Sequence, residues 1–286
     1  MSFGTVLITK DRNWCLERTV NALIGSELAE HPIVVVSNGS TREDPRQVLG
    51  NLPCQYLQLP DNLGIVGARF LAHEIAETLQ WGHYCFLQDD FELKLARRGW
   101  LADTLRFVEK YAIDYCRLTV RECALGENEH WVKGQLRVKT ANKRWNCSHV
   151  QIPKMEKVGE TNFLLSDKHY SDWAHIMSLN ASALLFKAEK TAFSGPSVTD
   201  RLLSGDYFDA FNGSVKTEFD TAVRHWIAYA LGLVSCTGIV SERPCWSGVF
   251  EHQTRVSTCD YRDLPQWGDA AARFAAAYAA VRGLRR

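Results

Sequence analysis

The first hundred residues alternate short apolar runs with longer segments whose apolar positions recur at helical spacing. "TVLIT" (5–9) is an apolar run of strand length, and "LERTVNALIG" (16–25) repeats its apolar residues at helical intervals. "PIVVVSN" (32–38) is β-branched and is followed by the turn residues "NGST". Next come "CQYLQL" (54–59), the loop "PDNLG", a helical segment "VGARFLAHEIAETLQ" (66–80) and the strand "YCFLQ" (84–88). Strand and helix alternating in this way predict an α/β fold, a doubly wound, mostly parallel sheet flanked by helices on both faces. Ligands of such sheets bind outside the carboxyl ends of the strands. Thr9–Asp11, Asn38–Thr41 and Asp89-Asp90 are therefore expected along one edge.

After a helical segment, "GWLADTLRFVEKYA" (99–112), the pattern changes. Residues 131–157 hold seven Lys or Arg against one Glu, and the alternation in "GQLRVKT" predicts a hairpin or meander. Strands and helices resume with "NASALLFKAEKTAF" (180–193), and "TEFDTAVRHWIAYALG" (217–232) reads as a helix. The alanine-rich tail (268–286) carries Asp269 near its start and three arginines near its end, as a helix dipole favours. No repeat, linker or sharp composition break interrupts the chain. The expectation is one domain over 1–286, with an α/β first part (1–112), a basic and aromatic insertion (113–177) and a last part ending in the tail helix (178–286).

Composition narrows the function. With 33 basic and 33 acidic residues the formal net charge is zero, which disfavours generic nucleic-acid binding. Nine scattered cysteines form no CxxC pair and suit a reducing cytoplasm better than a disulfide framework or zinc site. Neither a signal peptide nor a run of about 18 apolar residues is evident, so a cytoplasmic protein is expected. The "RGLRR" ending leaves peripheral attachment to the inner face of a membrane open.

The pair Asp89-Asp90 follows an apolar strand, where like charges repel unless a cation joins them. An acidic pair at a strand end can be a solvated loop or a helix cap. At the binding edge of a nucleotide sheet it can instead hold a hard divalent ion, Mg²⁺ or Mn²⁺, with phosphate oxygens. Asn62 and Gly64 are turn formers, and Glu218 with Asp220 suits a helix amino terminus. His252 on its own reads as a surface histidine. Trp131 and Trp145, among the basic residues, fit either a solvated face or a platform for a sugar acceptor.

Taken in order, these blocks resemble a family-2-type glycosyltransferase with the GT-A, Rossmann-like fold. "VLITKDRN" is similar to the family's first strand and its Thr-x-Asn/Asp-Arg turn. "IVVVSNGST" resembles the second strand, with Ser37 where an acid is common. "LPDNLGIVGARFLAHE" resembles the Asn-x-Gly-x-x-x-Ala-Arg loop and helix, and "YCFLQDDFEL" the strand entering the DxD motif, with Gln88 in place of the first acid. "TEFDTAVR" resembles the later acidic helix that supplies the base in inverting members. The likeness covers about 1–95 and, more loosely, 178–252, and it implies a nucleotide-sugar-binding half in 1–112 and an acceptor half in 178–286.

The resemblance implies an enzyme that moves a sugar from a nucleotide diphosphate donor to a hydroxyl acceptor (a glycan, a lipid-linked or a small molecule) with inversion. It implies Asp90 and His252 as metal ligands for Mn²⁺ or Mg²⁺. Thr9, Asp11, Arg12, Ser37, Asn38, Asn62, Arg69 and Asp89 would contact the nucleotide. Glu218 would act as base, with Asp220 second and Asp206 third. A nucleotidyltransferase shares the sheet and the acids, but "TKDRNW" lacks the glycine-rich loop expected after its first strand. A non-catalytic sugar-nucleotide-binding protein with a decayed site is the third alternative, which Gln88 and Ser37 keep open.

Overall fold

Every residue of the first two strands is buried, so neither shows the alternation of a half-exposed strand. The structure is a computed structural model that describes residues 2–93, 98–118, 129–132, 135–138, 154–165, 174–183, 235–240 and 250–252. Strands β1 to β5 span Phe3–Thr9, Ile33–Ser37, Gln55–Gln58, His83–Gln88 and Phe91–Leu93. Strands β6 to β10 span Tyr115–Arg117, Glu129–Val132, Gln135–Val138, Lys154–Val158 and Thr161–Leu165. β11 is His175–Ser178, β12 is Ser235–Val240 and β13 is Phe250–His252. The helices α1, α2 and α3 span Asn13–Leu23, Gly64–Thr78 and Trp100–Lys110.

The chain divides after Leu101 into two compact units, the first of which regains β11 and β13 from later in the chain. In the first unit the strand order is β3-β2-β1-β4-β11. β1, β2, β3 and β4 are mutually parallel, and β11 runs antiparallel to β4. This is the α/β, mostly parallel arrangement that the alternating pattern predicts. α1 turns Cys15, Leu16, Thr19, Val20 and Leu23 inward, a stripe at helical spacing. α2 buries Ala68, Leu71, Ala72, Ile75 and Ala76, small residues alternating with large ones. Its contacts go to β1 and β4. The expected helix at 66–80 begins two residues earlier, at Gly64, and the one at 16–25 begins at Asn13.

Glu27 closes the first unit. Its carboxylate accepts the backbone N–H of Gly99 and, at 2.8 Å, that of Leu101, satisfying donors that the start of α3 leaves without helical partners. No helix among the described residues is long and apolar enough to cross a membrane. Cys15, Cys54, Cys85 and Cys116 form no disulfide.

In the second unit the order is β6-β12-β10-β9, with β12 parallel to β6 and the other pairs antiparallel. β7 and β8 form a separate antiparallel pair, the hairpin that the alternation in "GQLRVKT" predicts. The β9–β10 hairpin lies in a stretch whose sequence offered no match, and one buried carboxylate fixes it. Asp103 of α3 accepts from the backbone N–H of Glu160 at 3.1 Å and the Thr161 hydroxyl at 2.9 Å. Arg106 Nη2 donates to the same side chain at 2.6 Å. The turn comes so close that a Cβ on Gly159 would sit 2.1 Å from Asp103 Oδ1, and Gly159 has φ +58°. Phe107 of α3 stacks on Phe163 of β10 at 4.1 Å. The helices expected at 217–232 and 268–286, together with most of 180–193, lie outside the described residues, as does Trp145.

Removing the Asp103 carboxylate strands buried donors on the hairpin. Asp103→Ala is expected to lower stability by about 2–3 kcal/mol, read as a reduced urea midpoint, whereas Arg106→Ala, at an exposed partner, costs well under half as much.

Candidate functional site

Strand register brings the site together. Thr9 pairs with Ser37, Ser37 with Gln58, and Ile8 with Gln88, so the carboxyl ends of β1 to β4 lie level. The ladder runs one step further: Asp89 N–H donates to the Ile8 carbonyl at 3.0 Å, and Asn38 N–H to the Thr9 carbonyl at 2.9 Å. Asp89 and Asp90 thus leave the sheet directly beside the turn after β1. Asp89 is fully buried and Asp90 is 4% exposed.

The cation between these acids is Arg12. Its Nη2 contacts Asp89 Oδ1, and its Nη1 donates to Asp90 Oδ2 at 3.0 Å. The other oxygen of Asp89 accepts from the Thr9 hydroxyl at 2.7 Å and from Lys10 N–H at 3.3 Å. The Thr19 hydroxyl of α1 reaches the Asp89 carbonyl at 2.7 Å and that of Phe91 at 3.1 Å, tying the helix to the chain on both sides of Asp90. Burial pushes the Asp89 carboxyl up to about 6; Arg12 opposes the rise, and Asp90 adds to it. Burial also works against the charged Arg12, but the adjacent Asp89 and Asp90 outweigh it and hold the guanidinium more firmly protonated than usual.

A second set of bonds joins the β1 turn to the β2 turn. Asp11 has φ +50°, and its Oδ1 accepts the successive N–H groups of Thr41 at 2.9 Å, Arg42 at 2.8 Å and Glu43 at 3.4 Å. In return, the Ser40 hydroxyl accepts Asp11 N–H at 3.1 Å, and the Glu43 carboxylate accepts the N–H of Asn13 at the start of α1. Burial alone would raise the Asp11 carboxyl, but the three N–H donors and Lys10 hold it below the usual carboxylate range.

The β2 turn is tied in turn to the loop before α2. Asn38 Nδ2 donates to Asn62 Oδ1 at 3.1 Å, and Asn38 Oδ1 accepts Leu63 N–H at 2.9 Å. Leu63 is the residue at the α2 amino terminus and has no side-chain cap of its own, so Asn38 serves as a cap supplied by a different loop. Gly39, at φ +69°, allows this approach: a Cβ there would lie 2.3 Å from Asn62 N.

Thr9, Asp11, Arg12, Asn38, Asn62, Asp89 and Asp90 therefore belong to one bonded network at the strand ends. Ser37 is fully buried at the end of β2, and Arg69 is buried on α2. β13 pairs antiparallel with β5, placing His252 opposite Phe91, the residue after Asp90. Glu218, Asp220 and Asp206 lie outside the described residues. Sequence reasoning did not single out Thr19 or Glu43: a threonine within a helical stripe and an acid in a turn carry no motif. Among the described residues, the group of three side chains able to share a metal is elsewhere, His73, Glu74 and Glu77 on α2, with donor atoms within 4.8 Å of one another.

Two hard carboxylates side by side at one strand end offer the oxygen ligands that a hard divalent ion takes. Asp90 would serve as its ligand, since both Asp89 oxygens are engaged by Thr9, Lys10 and Arg12.

No protein-family profile matches the chain, and no curated protein does. Solved structures do. S. aureus TarS (residues 1–349) in complex with UDP-GlcNAc shares 22% identity over 42% of this chain and 35% of its own, with a TM-score of 0.35. A mannosyltransferase from Pyrobaculum calidifontis in complex with GDP-Man and Mn²⁺ shares 13% identity over 42% of this chain and 36% of its own, TM-score 0.35. A CMP:2-keto-3-deoxy-manno-octonic acid synthetase complexed with CTP shares 10% identity over 83% of this chain and 92% of its own, TM-score 0.43. The chain spans about a third to a half of the length of the TarS structures it matches. At these identities and scores, the chain's own residues carry the case for function.

The Asp11 carboxyl has a testable pH signature. A carboxyl held below its unfolded value near 4 adds stability that is complete above that value and is lost as pH falls through the folded value. The urea midpoint of the native chain should therefore exceed that of Asp11→Asn at pH 6, with the gap closing between pH 4 and pH 2. A gap that stays constant over that range would contradict the charge-based tie.

Proposed function

We propose that this chain is a metal-dependent glycosyltransferase that moves a sugar from a nucleotide diphosphate donor to a hydroxyl acceptor with inversion. The observation that carries this reading is the register of β1, β2, β3 and β4, which gathers Thr9, Asp11, Arg12, Asn38, Asn62, Asp89 and Asp90 at the edge where such sheets bind nucleotides. The TarS and mannosyltransferase structures named above are bound to UDP-GlcNAc and to GDP-Man with Mn²⁺, ligands of this same class.

In this reading the turns after β1 and β2 and the Asn62 loop seat the nucleotide, and Arg69 faces its base or diphosphate with a guanidinium fork. Asp90 and His252 hold Mn²⁺ or Mg²⁺, with Asp89 fixing the turn behind them. A divalent ion there would act as a Lewis acid, stabilising charge on the departing diphosphate. Glu218, with Asp220 as the second candidate, takes the proton of the acceptor hydroxyl as that oxygen attacks the anomeric carbon. The nucleophile loses its proton to the carboxylate, and the glycosidic electrons leave with the phosphate. The acceptor is a saccharide or other hydroxyl compound, and the basic segment around Trp131 and Trp145 is the surface proposed to meet it.

A panel of sugar nucleotides incubated with Mn²⁺ tests the reading. Sugar release or transfer is expected for at least one donor, and Asp90→Asn should lower that turnover by about a hundredfold or more. Pyrophosphate exchange from a nucleoside triphosphate would instead identify a nucleotidyltransferase. Binding of the donor without turnover would identify a sugar-nucleotide-binding protein.

A further inference from the structure

The turn after β1 carries a second cation, Lys10, whose backbone and side chain are held very differently. Its N–H donates to Asp89 Oδ2 at 3.3 Å, on the oxygen that also accepts the Thr9 hydroxyl, so the backbone is fixed. The ammonium is not. Nζ lies 3.5 Å from Asp11 Oδ2, an ion pair with no hydrogen bond from Nζ among the described residues, and the side chain is 32% exposed. As a purely structural pair, a contact this long and this wet is worth little. Asp11 does not depend on it. Its other oxygen, Oδ1, accepts the amides of Thr41, Arg42 and Glu43, and of the groups that favour the charged carboxyl Lys10 acts least. Nζ can therefore leave Asp11 without undoing the tie between the two turns.

We propose that Lys10 is a phosphate-binding residue of the donor site, its Nζ turning from Asp11 Oδ2 to an oxygen of the nucleotide's diphosphate. This rests on the glycosyltransferase reading given above, and it adds to that reading a residue that no motif singles out. The chemistry is complementary. A diphosphate oxygen offers charge and lone pairs to an ammonium whose three donors the protein leaves unused. A partly exposed Nζ gives up little hydration to make that bond, and its flexible four-carbon stem lets it move while the backbone stays on Asp89. Position agrees as well. Lys10 follows Thr9, which pairs with Ser37, while Ile8 pairs with Gln88, so its stem leaves the sheet where the strands end together. The amides that hold Asp11 keep that carboxylate in place when Nζ departs, so the turn is not reorganised by the ligand.

The test is calorimetric binding of UDP, GDP, ADP, CDP and dTDP to the full chain, each with Mn²⁺, followed by work with the diphosphate that binds most tightly. At low salt Lys10→Met should bind it about tenfold more weakly than the native chain, and Lys10→Arg, which keeps the charge, should recover part of the loss. Lys157→Met, which removes the same charge from the β9–β10 hairpin, should bind as the native chain does. In 1 M NaCl the gap between native and Lys10→Met should shrink, because an attraction between an exposed ammonium and a phosphate is screened. Amine labelling of the native chain, read residue by residue by mass spectrometry, gives a second measurement that stands whether or not Lys10→Met folds. The bound diphosphate should slow labelling of Lys10 and leave Lys157 unchanged. Native affinity in Lys10→Met, or a loss that salt leaves unchanged, would overturn this inference while the functional reading stands. Labelling of Lys10 that the bound diphosphate does not slow would do the same. Failure of the native chain to bind any of the five diphosphates would overturn both.

Discussion

Two carboxylates at the end of a buried strand are tolerable because a guanidinium reaches them from the opening turn. The Arg12 bridge to Asp89 and Asp90 lets an apolar strand, β4, end in charge without forcing the chain away from the sheet. A buried acid without a partner costs several kcal/mol, so the turn after β1 and the end of β4 are held together by necessity. The remaining contacts reinforce this. Thr9 and Lys10 bind the same carboxylate, and Thr19 brings α1 onto its backbone. Strand β1, the first helix and the acidic pair therefore form one rigid block.

Around that block the turns are linked in series. Asp11 gathers the amides after β2, Glu43 returns to the first amide of α1, and Asn38 caps α2 through Leu63. Each link satisfies backbone groups that a helix or strand end leaves open. Loops tied in this way behave as extensions of the scaffold, and a site built on them keeps its geometry while ligands come and go.

Much of this was legible in the sequence, for reasons that differ between elements. β1, β2 and β4 are apolar at nearly every position, and a run of that kind can only be covered on both faces. α1 and α2 show their inward stripes plainly. The hairpin of β9 and β10 was not legible: "KMEKVGETNFLL" contains its turn glycine, but what holds it is Asp103, over fifty residues earlier in the chain. β5 and β13 have three residues each, too few for any periodicity, and become strands only by pairing with each other. At the site, motif order singled out Asp89, Asp90 and Arg12 separately. That Arg12 is the cation between the two acids was hidden, because the ion pair joins residues 77 positions apart.

The amides of Thr41, Arg42 and Glu43 converge on a single point, the concave array by which many proteins cradle phosphate. Here that cradle comes already filled by the chain's own Asp11. A free anion must compete with a tethered carboxylate whose effective concentration is very high, so inorganic phosphate and sulfate are turned away from this turn. The same occupancy makes the turn after β2 a fixed part of the edge, its backbone donors spent on holding the β1 turn in place.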